Sequence, residues 1–265
     1  MDGAGGLLVS CLMVTLPLPE RFSRLCRSIQ DYCRQTHPER ELIVVLNGGV
    51  AECANAVKDH IAGLARSDIH VLEPGGTLTL GALRNISVSA ARGAFLCQWD
   101  DDDLYHPRRL EQQLKALIET DSQAVCLQEV MQFLARSRAL YCTNWRATEP
   151  KAHPGTLLCR RAAELDYPET GPEARLGEDS AALLRLQRQG GVHALVGQPY
   201  LYVYVSHGEN SWGEEHHRML ATKLALSKAL LKRREKELRE GLQPFDFGAG
   251  PISVEGYNGS AFDLT

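Results

Sequence analysis

Hydrophobic and polar positions fall into alternating blocks along the first hundred residues. Four short apolar runs are typical of strands buried on both faces, because a strand covered by helices shows no polar side. The predicted strands are Leu7–Thr15, Glu41–Leu46, Ile69–Leu72 and Ala94–Trp99. The segments between them predict helices, the first with apolar residues at helical spacing. These predicted helices are Glu20–Gln35, Ala51–Ala65 and Leu80–Ala91.

This strand–helix alternation predicts an α/β fold, with a Rossmann-like, mostly parallel sheet and helices on both faces. In such sheets ligands bind beyond the carboxyl ends of the strands. Two polar segments fall at such ends, Asn47-Gly48-Gly49 and Asp100–Asp103. The pattern therefore predicts a ligand site there.

The second half of the chain is less regular. It predicts a strand pair, a short strand, a helix, a strand broken at Gly197 and a long helix. In order these are Ala124–Leu134 with Ala139–Trp145, Gly155–Cys159, Asp179–Arg188, Val192–Val205 and Glu214–Glu240. The tail from Pro244, rich in glycine and polar residues, is predicted to be loosely held. We therefore expect one α/β domain over residues 1–215, followed by a C-terminal helix and tail over 216–265.

Composition narrows the class of protein. The 265 residues are 44% hydrophobic and 23% charged, which excludes wholesale disorder, and the net charge of −4 offers no basic excess for nucleic acid. No stretch approaches the roughly 18 apolar residues of a membrane span, and no basic leader precedes Leu7. The eight cysteines contain no C-x-x-C pair, which favours buried reduced thiols and a cytoplasmic protein.

The run Asp100–Asp103 is the strongest local signal for chemistry. Adjacent carboxylates raise one another's pKa values unless a cation lies among them. Asp100 and Asp102 alternate along an extended chain, so both can face one divalent ion with oxygen ligands. A solvated acidic loop that caps the helix near Pro107 is the alternative. An EF-hand is excluded, because Leu104 and Tyr105 stand where a ligand and the turn glycine belong.

Three segments in order resemble family 2 glycosyltransferases of the GT-A fold. Residues 80–103, LGALRNISVSAARGAFLCQWDDDD, resemble the family's arginine–asparagine helix, its A-R-G turn and the strand that ends in D-x-D. Residues 9–49 resemble its opening β-α-β unit, and Leu176-Gly177-Glu178-Asp179 resembles its acceptor-side E-D motif. The resemblance covers roughly residues 7–215.

The resemblance implies a role for each matching residue. Asp100 and Asp102 correspond to the D-x-D pair, which would hold Mn²⁺ or Mg²⁺ against the diphosphate of a sugar nucleotide, with His207 as a third candidate ligand. Asp179 corresponds to the catalytic base of a single inverting displacement. Contacts to the donor are expected from Thr15, Asn47, Arg84, Asn85, Asp100 and Asp101.

Each of these residues also has a structural interpretation. Asp179 suits a helix N-cap, Arg84 and Asn85 suit capping or surface charge, and a lone histidine such as His207 is usually structural. Trp212 suits either sugar stacking or hydrophobic anchoring. His216 and His217 are expected at the rim of the site.

The chain departs from the family pattern after the second strand. Asn47-Gly48-Gly49 replaces the usual acidic run, so the base preference stays open, although an amide can still pair with a nucleobase edge. The Q-x-x-R-W signature is absent, which argues against a membrane-embedded polysaccharide synthase.

The expected function is metal-dependent, inverting transfer from a nucleotide-diphosphate sugar, preferably a UDP-sugar, to an acceptor hydroxyl. A sugar-nucleotide-forming nucleotidyltransferase is one alternative, although that class needs a glycine-rich basic loop where this chain has Leu16-Pro17-Leu18-Pro19. A catalytically inactive nucleotide-sugar- or metal-binding module is the other. The acceptor stays open among a glycan, a protein, a small molecule and a modified nucleic-acid base, as does the oligomeric state.

Overall fold

The computed structural model describes residues 6–264. Residue 265 and residues 1–5 lie outside the described residues, and the latter are part of the stretch considered for a leader. In residues 6–264 the strands are β1 (Val9–Thr15), β2 (Arg40–Leu46), β3 (Ile69–Leu72), β4 (Phe95–Gln98), β5 (Leu104–Tyr105), β6 (Ala124–Leu127), β7 (Glu129–Leu134), β8 (Ala139–Asn144), β9 (Leu158–Arg160), β10 (Val192–Leu195), β11 (Tyr202–Ser206), β12 (Ile252–Gly256) and β13 (Gly259–Leu264). The α-helices of that range are α1 (Pro19–Cys33), α2 (Ala51–Gly63), α3 (Leu80–Ala90), α4 (Arg109–Glu119), α5 (Glu178–Arg188), α6 (Glu214–Leu224), α7 (Lys228–Arg233) and α8 (Glu235–Leu242).

The first sheet has the strand order β10-β6-β9-β4-β1-β2-β3. Its neighbouring strands are parallel except where β9 pairs with β4 and β6. Every strand and helix predicted up to β4 is present, with ends within two residues of the prediction. The predicted mostly parallel sheet is therefore confirmed.

Side chains that alternate along β1 join two separate apolar cores, because successive residues of a strand point to opposite faces. Val9, Cys11 and Met13 pack in one core with side chains of α1, α2 and α4. Leu12 packs in the other with side chains of α3 and α5. Helices thus cover both faces of the sheet, as predicted.

Two of the predicted strand segments each contribute to both sheets of the protein. Residues 124–134 form β6 in the first sheet and β7 in the second, and residues 192–205 divide in the same way into β10 and β11. The predicted pairing of Ala124–Leu134 with Ala139–Trp145 is therefore correct only for the antiparallel pair β7 and β8. Gly197, with φ of 83°, makes the turn after β10 that a residue with a side chain disfavours.

The second sheet has the order β13-β12-β8-β7-β11-β5. Its edge strand β5 directly follows the acidic run and pairs antiparallel with β11, Leu104 opposite Val203. This pairing brings the residues that follow β11 beside the aspartates that precede β5. The second sheet therefore completes the site that the first sheet begins.

The predicted long helix Glu214–Glu240 is wrong in its continuity, since the chain forms α6, α7 and α8 instead. Between α6 and α7 the backbone turns to β8, where the N–H of Leu226 donates to the carbonyl of Cys142 at 2.9 Å. The hydroxyl of Ser227 then accepts from the N–H of Leu230 and starts a new helix. Leu231 and Leu238 are fully buried, but the helical hydrogen-bond ladder is interrupted between α6 and α7.

The predicted loosely held tail is also wrong. Residues 252–264 form the hairpin β12–β13, and β12 pairs in parallel with β8. Val254 and Phe262 pack in one core with Leu231 and Leu238. Arg138 donates hydrogen bonds to the carbonyl groups of the loop over residues 247–251. The segment 216–264 is thus an ordered part of the second sheet and its helices.

Within residues 6–264, no helix combines the length and apolar character needed to span a bilayer. All eight cysteines are free thiols, and five of them are buried. The burial of these five agrees with the sequence-based expectation of mostly buried thiols.

Candidate active site

A pocket of about 320 Å³ lies at the carboxyl ends of β1, β2 and β4. Leu16, Asn47 and Asp100 follow these strands and line the pocket together, because parallel strands end at the same edge of a sheet. Arg84 of α3 and Asp179 of α5 also line it. The pocket therefore lies where the strand pattern predicts a ligand site.

Asp100 is held by the guanidinium of Arg84, whose Nη2 lies 2.9 Å from Asp100 Oδ1. The Nε of the same guanidinium donates to Glu178 Oε1 at 2.8 Å. The side-chain amide of Gln98 donates to the second oxygen of Asp100 at 3.2 Å. One buried cation thus joins the first aspartate of the run to the glutamate at the start of α5.

Asp101 turns away from Asp100 and is 3% exposed. Thr15 Oγ1 donates to its Oδ2 at 2.5 Å, and Arg21 Nη2 lies 2.5 Å from its Oδ1. Burial raises the pKa of Asp101 to about 6, the charge of Asp102 adds to this, and Arg21 opposes it. Asp101 therefore anchors the end of β1 and the start of α1 to the acidic loop.

Asp102 meets His207, with His207 Nε2 3.1 Å from Asp102 Oδ2. The N–H of Glu209 donates to Nδ1 of the same ring, which leaves Nε2 to face the carboxylate. Burial alone would raise the pKa of Asp102, but the hydrogen bond from His207 and the charge of Arg21 lower it below its ordinary value. Asp102 therefore stays ionised more readily than Asp101 or Asp103.

Asp103 has a structural role. It is 1% exposed and accepts hydrogen bonds from the hydroxyl of Tyr202 and, at 2.8 Å, from the N–H of Val205. Burial, together with the charges of Asp102 and Asp100, raises its pKa well above the ordinary value. This residue fastens the acidic loop to β11.

Asp179 lies in the first turn of α5 and is not its N-cap. The N-cap is Gly177, with φ of 88°, and it makes no side-chain capping bond. Asp179 Oδ1 accepts from the N–H of Ser180 at 2.6 Å, and the carboxylate lines the pocket. Burial raises the pKa of Asp179 to about 6, the charge of Glu178 adds to this, and Arg84 opposes it. A partly buried carboxylate of raised pKa suits a proton acceptor.

The remaining predicted donor contacts divide into two groups. Asn47 and Arg84 line the pocket, whereas Thr15 is buried against Asp101. Asn85 points away, and its predicted donor contact is corrected: its amide donates to Tyr167 O at 2.9 Å and to Glu169 Oε1 at 2.8 Å. Because a helix presents neighbouring residues to different directions, Arg84 and Asn85 cannot both face the pocket.

The predicted metal ligands fit a divalent ion that arrives together with a phosphate-bearing substrate. Asp102 and His207 are adjacent and Asp100 lines the same pocket, although Arg84 holds one oxygen of Asp100. Within residues 6–264, no three carboxylate, imidazole or thiol side chains gather closely enough to enclose an ion by themselves. Mg²⁺ usually binds through one or two carboxylates, with substrate phosphates and water in its other positions.

Sequence reasoning missed Arg21 as a site residue. Its guanidinium contacts both Asp101 and Asp102 and lines the pocket. Its position in the first turn of the helix after β1 was a usable signal, because that turn meets the carboxyl edge of the sheet.

Comparison with known proteins identifies the family of this chain. The model of glycosyl transferase family 2 matches residues 14–160, more than half of the chain. The chain therefore belongs to glycosyl transferase family 2, as its sequence resemblance predicts.

Two curated relatives match part of the chain. An uncharacterized glycosyltransferase of Methanocaldococcus jannaschii is 34% identical over 109 residues, which cover 41% of this chain and 36% of that protein. The O-antigen biosynthesis glycosyltransferase WbnJ of Escherichia coli is 31% identical over 99 residues, 37% of this chain and 38% of WbnJ. The chain thus matches little more than a third of the length of each relative.

Two solved structures share the fold. TarS 1–349 of S. aureus, in complex with UDP-GlcNAc, has a TM-score of 0.59 at 14% identity over 90% of this chain and 67% of that one. The mannosyltransferase PcManGT of Pyrobaculum calidifontis, in complex with GDP-Man and Mn²⁺, has a TM-score of 0.59 at 13% identity over 91% and 68%. The predicted GT-A fold is confirmed by these neighbours.

Proposed function

We propose that this chain transfers a sugar from a nucleotide-diphosphate sugar, preferably a UDP-sugar, to an acceptor hydroxyl in a metal-dependent, inverting reaction. The observation that carries the proposal is the meeting of Asp100, Asp102 and Asp179 in one pocket. Carboxylates for a divalent ion and a separate carboxylate of raised pKa are the two components that such a reaction needs.

The donor half of the pocket offers cation ligands and positive charge. Asp100, Asp102 and His207 would hold Mn²⁺ or Mg²⁺, and the bound ion supplies Lewis-acid neutralisation of the leaving diphosphate. Arg84 keeps the carboxylate of Asp100 in one orientation through its second contact with Glu178. Asn47 lines the pocket with a side-chain amide. This amide can both donate and accept a hydrogen bond, so it can pair with the nucleobase of the donor.

Asp179 accepts the proton of the acceptor hydroxyl as that oxygen attacks the anomeric carbon. The new bond forms on the face opposite the diphosphate, the bond from carbon to the diphosphate oxygen breaks, and its electron pair leaves with the nucleoside diphosphate. One displacement therefore inverts the configuration. A pKa near 6 leaves the carboxylate ionised at neutral pH and more basic than an ordinary aspartate.

Two proteins of the same fold support the choice of substrate class. TarS was solved with UDP-GlcNAc, and the Pyrobaculum mannosyltransferase with GDP-Man and Mn²⁺. The fold thus accepts more than one base. The free cysteines support the proposal that the protein is cytoplasmic, because the cytoplasm keeps thiols reduced.

A donor screen tests this function without knowledge of the acceptor. UDP-, GDP- and dTDP-sugars are incubated with the full chain, and nucleoside diphosphate release to water is measured with EDTA and then with Mn²⁺ or Mg²⁺ restored. We expect release from a UDP-sugar that stops in EDTA and recovers with the metal. Undiminished release in EDTA contradicts the role of the metal, and release from no donor contradicts the proposed function.

Paired variants locate the effect in the site. Asp102→Asn should reproduce the chelator, because it removes a ligand charge, and calorimetry should show weakened binding of UDP in Mn²⁺. Asp121→Asn is the matched control, since Asp121 lies on the surface with a side chain that is 97% exposed. Equal binding in both variants contradicts the assignment of Asp102.

A further inference from the structure

The backbone of Asp100 is held by the hydroxyl groups of two fully buried side chains, Tyr105 and Ser28. The hydroxyl of Tyr105 accepts a hydrogen bond from the N–H of Asp100 at 2.6 Å and donates one to its carbonyl oxygen at 3.0 Å. The hydroxyl of Ser28 donates to the same carbonyl oxygen at 2.8 Å. Since β4 ends at Gln98, these hydroxyls serve Asp100 in place of a neighbouring strand.

The ring of Tyr105 is fixed by its neighbours. It stacks on the ring of Trp99, with centroids 3.9 Å apart and an angle of 24° between the planes. The indole Nε1 of Trp99 in turn donates to the hydroxyl of Ser28 at 3.0 Å. The backbone N–H of Tyr105 donates to a carboxylate oxygen of Asp31 at 2.9 Å. Because both the ring and the backbone are held, the hydroxyl of Tyr105 has one place to lie, against Asp100.

Arg109 is a fully buried cation that packs against the same two rings. Its guanidinium carbon lies 4.8 Å from the ring centroid of Tyr105 and 5.3 Å from that of Trp99. Its Nη2 donates to the carbonyl of Gln98 at 3.0 Å, whereas its Nη1 is buried without a hydrogen-bond partner among residues 6–264. The attraction of a desolvated cation to aromatic faces stabilises this arrangement and keeps the ring of Tyr105 in place.

The direction of the Asp100 carboxylate depends on the position of its backbone. Arg84 and Gln98 contact its two oxygens at 2.9 and 3.2 Å, but they can orient the group only while its main chain stays within their reach. A divalent ion such as Mg²⁺ needs ligands at about 2.0–2.1 Å in nearly ideal geometry. A displacement of about 0.5 Å is therefore enough to impair such a site.

We propose that Tyr105 is a positioning residue of the metal site. Its hydroxyl, together with that of Ser28, fixes the backbone of Asp100 so that the carboxylate faces the pocket it shares with Asp102. Neither Tyr105 nor Ser28 is among the residues that line this pocket, so both act through Asp100. The proposal rests on the proposed function, because that function assigns a divalent ion to Asp100.

Metal binding tests the proposal directly. Mn²⁺ is titrated into the full chain with UDP present, and electron paramagnetic resonance measures free Mn²⁺ for the native chain, Tyr105→Phe and Tyr32→Phe. Tyr32 is the matched control, since it is also fully buried and its hydroxyl donates to Asp68 Oδ2 at 2.8 Å, away from the pocket lining. We expect the dissociation constant of Mn²⁺ to rise about tenfold in Tyr105→Phe and to stay unchanged in Tyr32→Phe.

Two further measurements distinguish positioning from a purely structural role. Urea unfolding should show a similar loss of stability in both variants, because each keeps its ring and loses the hydrogen bonds of one hydroxyl group. The resonance spectrum of bound Mn²⁺ at saturation should change only in Tyr105→Phe, since only there does the ligand geometry change. A loss of stability in Tyr105→Phe with unchanged Mn²⁺ affinity and an unchanged bound spectrum overturns the proposal.

Ser28→Ala is the second variant, because it removes the other hydroxyl from the carbonyl of Asp100. Should Tyr105→Phe lose its cooperative melting transition, Ser28→Ala takes its place with the same expectation. Failure of the native chain to bind Mn²⁺ with UDP present also overturns the proposal. Donor release to water measures the proposed function separately. Mn²⁺ binding that depends on Tyr105, without release from any sugar nucleotide, supports the positioning role and rejects the transfer reaction.

Discussion

The Nε of Arg84 donates a 2.8 Å hydrogen bond to Oε1 of Glu178, although 94 positions separate the two residues in the chain. The Nη2 of the same guanidinium contacts Asp100, so a single side chain connects the end of β4 to the helix that carries Asp179. The two carboxyl groups assigned different roles are therefore held in one rigid frame.

Removal of Arg84 should destabilise the fold strongly. Arg84→Met leaves Glu178 buried without a counter-charge, and breaking such a pair costs about 3–5 kcal/mol. Urea unfolding should show this loss, and the double variant with Glu178→Gln should recover a substantial part. The control is Arg185→Met, which breaks the exposed pair with Asp166 and should cost less than about 1 kcal/mol. Equal losses in both arginine variants would falsify the structural importance of the Arg84 contacts.

Replacement of the proposed base should separate catalysis from stability. Asp179→Asn should lower kcat by about 10²–10⁴-fold, because a positioned proton acceptor is lost, with donor affinity nearly unchanged. The melting temperature should not fall, since Gly177 is the N-cap and a neutral amide is easier to bury than a carboxylate. A lower melting temperature with near-normal kcat indicates a helix-start role instead.

The raised pKa of Asp179 predicts a pH profile for transfer. Below a pH of about 6 the carboxyl group is protonated and cannot accept a proton, so kcat/KM should fall tenfold for each further pH unit. Measurements of kcat/KM from pH 4.5 to 8 with saturating metal give this acidic limb of the profile. A limb centred near pH 4, the ordinary range of an aspartate, contradicts the assignment.

The ionisation of Asp179 should also affect the free energy of unfolding, which should fall over the pH range in which this residue becomes charged. Because the folded-state pKa of Asp179 lies above its unfolded value of about 4, ionisation of this residue destabilises the fold as pH rises from about 4 to 6. The stability of Asp179→Asn relative to the native chain should therefore increase over that window and stay constant above it. Unfolding curves of both proteins at pH 4, 5, 6 and 7 measure the difference.

The C-terminal hairpin should contribute to global stability. Phe262 is 9% exposed and packs with Val254 and Leu238, so Phe262→Ala should lower the free energy of unfolding by about 3 kcal/mol. Tyr257, which is 60% exposed in the same hairpin, is the matched control, and its alanine variant should change stability by less than about 0.5 kcal/mol. Identical unfolding curves for the two variants contradict the packed hairpin.

The local hydrophobic period was sufficient to predict the strands and helices of the first sheet up to β4. The local pattern of apolar residues identifies a buried strand such as Arg40–Leu46 and an amphipathic helix such as Pro19–Cys33. A strand buried on both faces is apolar throughout, whereas a helix buried on one side is apolar along one stripe. Chain direction then places Asp100 and Asn47 at one edge. The fold class and the place of the site followed from the sequence alone.

Pairings between distant segments were decided only by the tertiary structure. The helix predicted over residues 214–240 is interrupted where the N–H of Leu226 donates to the carbonyl of Cys142 on β8, a contact that the local pattern does not contain. The polar tail becomes a strand because β8 offers an open edge to β12. Likewise, Arg84 rather than Asn85 reaches the pocket because the helix rotation is set by packing on the sheet. Local periodicity specifies which residues are buried, whereas the partners they meet depend on the whole fold.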